Sequence, residues 1–171
     1  MGTAGAGSLI YVYMATLGIR AGAMGGVSAL NPAAQVVGML LFGQLADRMG
    51  RKAIFLFGFG TSALVPLVFA LSGNVWGMAS GYLLLGVAFS SLYVGSTAHI
   101  GDRIPTNQQG AMLGLFESSR GLGGVLGPLL AGAITPYVGY QGMFLTMVGV
   151  AATGFLLVLF CSSRTDSTPI S

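Results

Sequence analysis

Apolar stretches longer than a soluble core needs alternate along this chain with short breaks of glycine, proline, asparagine and charge. Residues 21–46 and 53–101 contain no Asp, Glu, Lys or Arg, and the second stretch exceeds twice the ~20 residues of one bilayer crossing. Breaks fall at Ser72, Gly73 and Asn74 inside the second run and at Thr135, Pro136 and Gly139 inside the next one, residue types that turn the backbone. The divisions predict membrane helices over residues 23–45, 53–72, 76–99, 110–134 and 142–161. Residues 3–19 are uncharged but barely long enough to cross, and read as the last part of a first helix cut short. The polar residues 162–171 read as a disordered tail.

Within the helices the polar positions fall in stripes. Asn31, Gln35 and Gly38 recur at helical spacing with Ser28 alongside, opposite Ala33, Val36 and Leu40. Gly86, Ser90, Tyr93 and Thr97 form a similar line on the fourth helix. On the fifth, Glu117, Gly121, Gly124, Pro128 and Ala131 lie within about 40° of one line, opposite Leu115, Leu122, Leu126 and Leu129. Glu117 and Arg120 are three residues apart and so share a face. Ionisable groups inside a membrane are costly and point to a functional site, with a local ion pair near the helix end as the bland alternative. For Gln35 and Ser90, cavity lining and plain interhelical hydrogen bonding both fit. His99, near a membrane boundary, fits snorkelling or proton handling.

Composition then fixes the class. With 54% hydrophobic and 6% charged residues, against about 25% charged in soluble domains, the chain cannot cover a water-facing surface. In lipid every backbone N–H and C=O must be paired within the chain, which leaves helices or a closed barrel. A barrel strand alternates apolar and polar residues, and residues 53–72 do not, so the fold class is an all-α integral membrane protein. The net charge of +3 is read through topology rather than as affinity for nucleic acid. Five of the seven basic residues (Arg48, Arg51, Lys52, Arg103 and Arg164) fall on one side of the predicted spans, the side the positive-inside rule makes cytoplasmic. Arg20 lies on the other side and Arg120 within the fifth helix.

Little other chemistry is offered. Cys161 is the single cysteine, which rules out an intramolecular disulfide. One His and one Cys cannot build a four-ligand zinc site, and neither a Gly-x-x-x-x-Gly-Lys phosphate loop nor Gly-x-Ser-x-Gly occurs. No metal, cofactor or nucleic acid is expected. Catalysis would have to rest on Glu117, Ser118, Ser119 or His99 alone, so an intramembrane enzyme is the weakest of the readings.

The segment Gly43, Gln44, Leu45, Ala46, Asp47, Arg48, Met49, Gly50, Arg51, Lys52 carries four of the chain's eleven formal charges between two uncharged stretches. It resembles the Gly-x-Leu-Ala-Asp-Arg-x-Gly-Arg-Lys signature of the major facilitator superfamily, found between the second and third helices of a six-helix repeat. The run Gly123, Gly124, Val125, Leu126, Gly127, Pro128, Leu129, Leu130, Ala131, Gly132 is similar to the Gly-x-x-x-Gly-Pro-x-x-Gly-Gly pattern of that family's antiporters, with Ala131 replacing the first of the final pair. Small residues there admit a neighbouring backbone, and Pro128 removes a donor and bends the helix.

The resemblance implies one six-helix half of a secondary transporter over residues 1–161. The first, second, fourth and fifth helices would line the cavity, with the third and sixth outside. It implies that Asp47 belongs to a latch holding the cytoplasmic side closed. Arg48, Arg51 and Lys52 would share in that latch or anchor the hairpin to anionic lipid. The ten residues after the sixth helix point to a C-terminal half. Expected partners are the lipid bilayer, a small-molecule substrate, a proton taken through Glu117 and the missing other half; the expected place is the cell membrane, with the C-terminus cytoplasmic. A truncated, non-transporting module that needs a partner half stays open beside this reading, as do substrate and direction of transport.

Overall fold

The computed structural model describes residues 7–165, and every regular element among them is helical. The elements are α1 (Gly7–Thr16), α2 (Ala21–Met49), α3 (Arg51–Leu71), α4 (Val75–Arg103) and α5 (Thr106–Thr165). At Gly139 the backbone leaves the helical region, with φ 69° and ψ 178°, so α5 consists of two arms, residues 106–138 and 140–165. The expected spans are therefore α2, α3, α4 and the two arms, and the chain is an all-α, multi-pass membrane protein. The ten residues of α1 rise only ~15 Å, about half of a ~30 Å hydrocarbon core.

The helices are longer than the apolar runs that predicted them. α2 continues through the charged segment to Met49 and α3 begins at Arg51, so the expected hairpin shrinks to Gly50. That residue has φ 90°, which glycine adopts without a Cβ clash, and its N–H donates to the carbonyl of Ala46 at 3.1 Å. α4 likewise runs on to Arg103, and the first arm of α5 starts at Thr106 and passes Pro136 before it turns. A helix need not stop where hydrocarbon stops. The 29 residues of α2 or α4 rise ~43 Å, so their charged turns project beyond the core. The tail expected from residue 162 is helical through Thr165, and residues 166–171, like 1–6, lie outside the described part.

α4 sits at the centre, packed on α3 along one side and on α2 along another. Close approach is possible because glycine stands at the crossings. A Cβ at Gly95 would lie 2.8 Å from the Phe55 backbone of α3, and one at Gly86 would lie 2.6 Å from the Asn31 carbonyl oxygen of α2. Lipid tails are as apolar as leucine, so association between these helices rests on such contact rather than on expelling water.

At the end away from the charged segment, a core joins Ile10, Tyr13 and Met14 of α1 to Phe69 of α3, Tyr82 of α4 and Phe144 of the second arm. The Phe69 ring stands edge-on to Tyr82 at 5.5 Å and stacks on Phe144 at 5.8 Å. Tyr13 packs against Tyr140 and Phe144, and its hydroxyl donates to the carbonyl of Ser72 at 3.0 Å, tying α1 to the α3–α4 turn. Asn74 caps α4 there by accepting from the Gly77 N–H at 2.8 Å. Trp76 and Tyr137, 83% and 88% exposed, stand beside these turns as amphipathic rings do at a membrane interface.

Gly86→Val is expected to destabilise the bundle by about 1–3 kcal/mol, because its new side chain meets backbone rather than a movable side chain. Gly114→Ala, where nothing lies within 4 Å of the added atom, is the control. Thermal unfolding in nanodiscs checks both; equal melting of Gly86→Val and parent would refute this account of the α2–α4 crossing.

Candidate functional site

Two polar constellations stand out, one at a membrane boundary and one inside the spans. The first grows from the charged segment. Gly50 ends α2 and launches α3 at once, so Arg51 sits in the first turn of α3 beside the last turns of α4. Its Nη1 donates to the Ala98 carbonyl at 2.8 Å and forms an ion pair with Asp102. One guanidinium thus adds a second donor to a C=O in the last turns of α4 and meets a carboxylate one turn on. Gln109 secures the following turn, its Nε2 donating to the carbonyls of Gly101 and Ile104 at 3.0 Å each. Asp47, Arg48 and Lys52 are exposed, and Asp47 has no ion-pair partner among the described residues. Gly43 is half-buried with open space at its Cβ position.

Sequence reasoning assigned Arg51 to topology or a latch and gave Asp102 no role. The signal was present. Opposite charges stood at the start of one predicted helix and the end of the next, antiparallel to it, on the same side of the membrane.

The second constellation joins the first arm of α5 to α4. Arg120 Nε donates to Glu117 Oε2 at 2.8 Å, and its Nη2 lies 2.6 Å from the same oxygen. The two side chains are 41% and 39% exposed, so the pair is neither sealed in the bundle nor free in solvent. The Arg120 guanidinium also lies over the Phe89 ring of α4, 5.5 Å from its centroid. Phe89 stacks on Tyr93 at 5.8 Å, and Tyr93 meets Phe116 at 6.3 Å, so three rings flank one ion pair. Glu117 lies ~10 Å along the helix from Gly110, the expected start of the span, about a third of the depth of the hydrocarbon core.

Other candidates are dispersed. Gln35 donates to Asn31 Oδ1 at 2.7 Å on α2, while the backbone of Asn31 receives Gly86 of α4. Ser90 is fully buried: its Oγ bonds the Gly86 carbonyl at 2.9 Å and packs where Gly38 leaves room. Thr97 donates to the Tyr93 carbonyl at 2.8 Å. Tyr93, Glu117 and Arg120 are thus brought together, whereas Asn31, Gln35, Gly38 and Ser90 lie along the α2–α4 seam. On the first arm, Leu115, Leu122, Leu126 and Leu129 are exposed, and Gly123, Gly124, Gly127 and Pro128 are half-buried. Gly121 and Gly132 are exposed, and a Cβ at Gly121, Gly124 or Gly132 would meet nothing within this chain.

Comparison with known proteins gives a family and relatives. The family model described as "Major Facilitator Superfamily" matches residues 1–171. The chain is 31% identical over 170 residues to "Multidrug resistance protein MdtG" of Citrobacter koseri, covering 94% of the chain and 40% of that protein. It is 29% identical over 158 residues to the protein of the same name in Serratia proteamaculans, covering 86% and 37%. To "Multidrug resistance protein 3" of Bacillus subtilis it is 30% identical over 149 residues, covering 78% and 26%. The chain spans two fifths or less of the length of these curated relatives.

The boundary pair is open to an energetic check. Arg51 and Asp102 are 34% and 51% exposed, so a double-mutant cycle of Arg51→Ala and Asp102→Asn is expected to give a coupling of about 1 kcal/mol or less in unfolding stability. Arg51→Ala alone should cost more than Asp102→Asn alone, because it also removes the side-chain bond to the Ala98 carbonyl. Additive losses within error would show that the pair does no coupling.

Proposed function

The chain belongs to the Major Facilitator Superfamily and is a multi-pass membrane protein; from that premise we propose that its task is solute transport rather than catalysis, as one half of a secondary transporter working by alternating access. In such proteins two repeats rock about a site near the bilayer midplane. The Arg48 hairpin, the α4–α5 turn and the end of α5 are proposed to be cytoplasmic, as the basic residues favour. The named activity of the relatives supports export of small organic molecules as the direction and class of solute.

The observation that carries this reading is the half-exposed Glu117–Arg120 pair within a membrane span, flanked by Phe89, Tyr93 and Phe116. A charge within a membrane span is costly, so an accessible ion pair there is kept for use. Glu117 is the proposed site of proton exchange. Neutralising its carboxylate would leave the Arg120 guanidinium held by the Phe89 ring alone, and ionising it would restore the pair. The rings present flat apolar surface to an organic solute next to that exchange. Asp47 is the proposed latch, its exposed carboxylate meeting the opposite half when the cytoplasmic side closes.

In the reconstituted full-length transporter, Glu117→Gln is expected to lower proton-driven transport at least about tenfold, as for loss of a positioned acid–base group, and to flatten its pH dependence. Parental rate and parental pH profile at equal expression would make the residue structural. In the same preparation Asp47→Asn should raise the accessibility of cavity cysteines from the cytoplasmic side by a coupling of about 1–3 kcal/mol. Unchanged accessibility would contradict the latch.

A further inference from the structure

The Glu117–Arg120 pair uses only part of its hydrogen-bonding capacity. Arg120 directs both Nε, at 2.8 Å, and Nη2, at 2.6 Å, to a single oxygen, Glu117 Oε2. A guanidinium carries five N–H donors, and a carboxylate has two accepting oxygens. Among the described residues, both N–H groups of Nη1, the second one of Nη2 and all of Oε1 are therefore without a partner. The contact with Phe89 engages the flat face of the guanidinium and leaves its terminal edge, from Nη1 to Nη2, open. Both side chains are half-exposed, so the pair offers an unused donor edge beside an unused acceptor.

Charge balance decides which solute these free positions suit. Residues 21–46, 53–101 and 110–161 contain no Asp, Glu, Lys or Arg besides this pair. A solute that is only a cation would compete with Arg120 for Glu117 and leave a guanidinium uncompensated within the span. One that is only an anion would strand the carboxylate in the same way, and separating paired charges away from water is strongly unfavourable. A solute with both charges adds one to each member and keeps the sum at zero. Its ammonium group meets Oε1, while its carboxylate meets the terminal edge of Arg120 in the two-pronged geometry that a guanidinium offers. The rings of Tyr93 and Phe116, 6.3 Å apart beside the pair, give an aryl group a surface to pack on.

We propose, resting on the reading of this pair as the transport site, that it takes aromatic zwitterions: small aryl compounds bearing an ammonium and a carboxylate group a few bonds apart. Such a cargo also excludes the proton. Its ammonium group and the proton claim the same Glu117 carboxylate, so the two are not held together, as exchange requires.

The test uses the full-length protein in nanodiscs and three probes on one scaffold. Naphthylalanine is the zwitterion, naphthylethylamine lacks its carboxylate, and naphthylpropanoate lacks its ammonium group. Equilibrium dialysis at neutral pH, with empty nanodiscs subtracted, is expected to show naphthylalanine bound at least about tenfold tighter than either analogue, as for loss of one charge-assisted hydrogen bond. Two variants should shift the preference in opposite senses: Glu117→Gln toward the propanoate and Arg120→Gln toward the ethylamine. Phe116→Ala should weaken all three alike. A parent protein that binds either analogue as tightly as naphthylalanine, or binds none of the three, overturns the proposal even if neither charge variant folds. An unchanged order of affinities in a folded Glu117→Gln protein overturns it as well. Failure of the underlying transport reading shows separately, as a parental rate and pH profile of proton-driven transport in Glu117→Gln, a measurement in which none of these probes takes part.

Discussion

Hydrocarbon solvates neither a peptide group nor a charge, and nearly every feature of this chain follows from that constraint. Except for the carbonyls that Pro32, Pro66, Pro128 and Pro136 leave without a helical donor, the backbone groups within the spans pair inside their own helices, so turns are confined to the ends. There they are made by residues that can reverse the chain in minimal length, such as Gly50 at φ 90°, Asn74 as an N-cap and Gly139 at φ 69°. The charges obey the same rule. Most stand in helix turns that project beyond the apolar core, and the two inside it, Glu117 and Arg120, neutralise one another at hydrogen-bond distance.

With water absent, contact area between helices becomes the source of cohesion, which places small residues on α4. Its neighbours α2 and α3 approach at glycines, and serines such as Ser90 and Ser91 return their hydroxyls to carbonyls of their own helix instead of reaching across. The two ends of the bundle are fastened differently. One carries interlocked rings and the Tyr13–Ser72 bond; the other carries Arg51 on the end of α4. Between them the first arm of α5 touches α4 through Phe116 and Arg120 and keeps Leu115, Leu122, Leu126 and Leu129 exposed. A surface so incompletely covered within one chain suits a helix that faces both a cavity and an opposing half.

Much of this architecture was legible because apolar length and turn chemistry are strong local signals. The breaks at residues 72–74 and near 139 needed no tertiary information. Helix ends did, since the charged residues 47–52 can continue a helix into water as readily as interrupt it, and only the geometry at Gly50 decides. The pairing of Glu117 with Arg120 followed from spacing alone, but Phe89 as the seat of the guanidinium depends on how α4 and α5 are juxtaposed. For Ser90 a polar stripe was visible, yet periodicity cannot tell a cavity from a helix crossing; the depth of Gly38 opposite it does. Asp102 was overlooked because a lone acid at a helix end acquires meaning only from Arg51 on the next helix.

Orientation in the membrane is the claim on which the proposed mechanism turns, because it decides which side Asp47 closes and from which side a proton reaches Glu117. Single cysteines at Gln44 and Asn74, each in a Cys161→Ser background, report it in intact cells with a membrane-impermeant maleimide. The account predicts labelling at position 74 without permeabilisation and at position 44 only after it. Labelling of position 44 from outside, with position 74 protected, would contradict it.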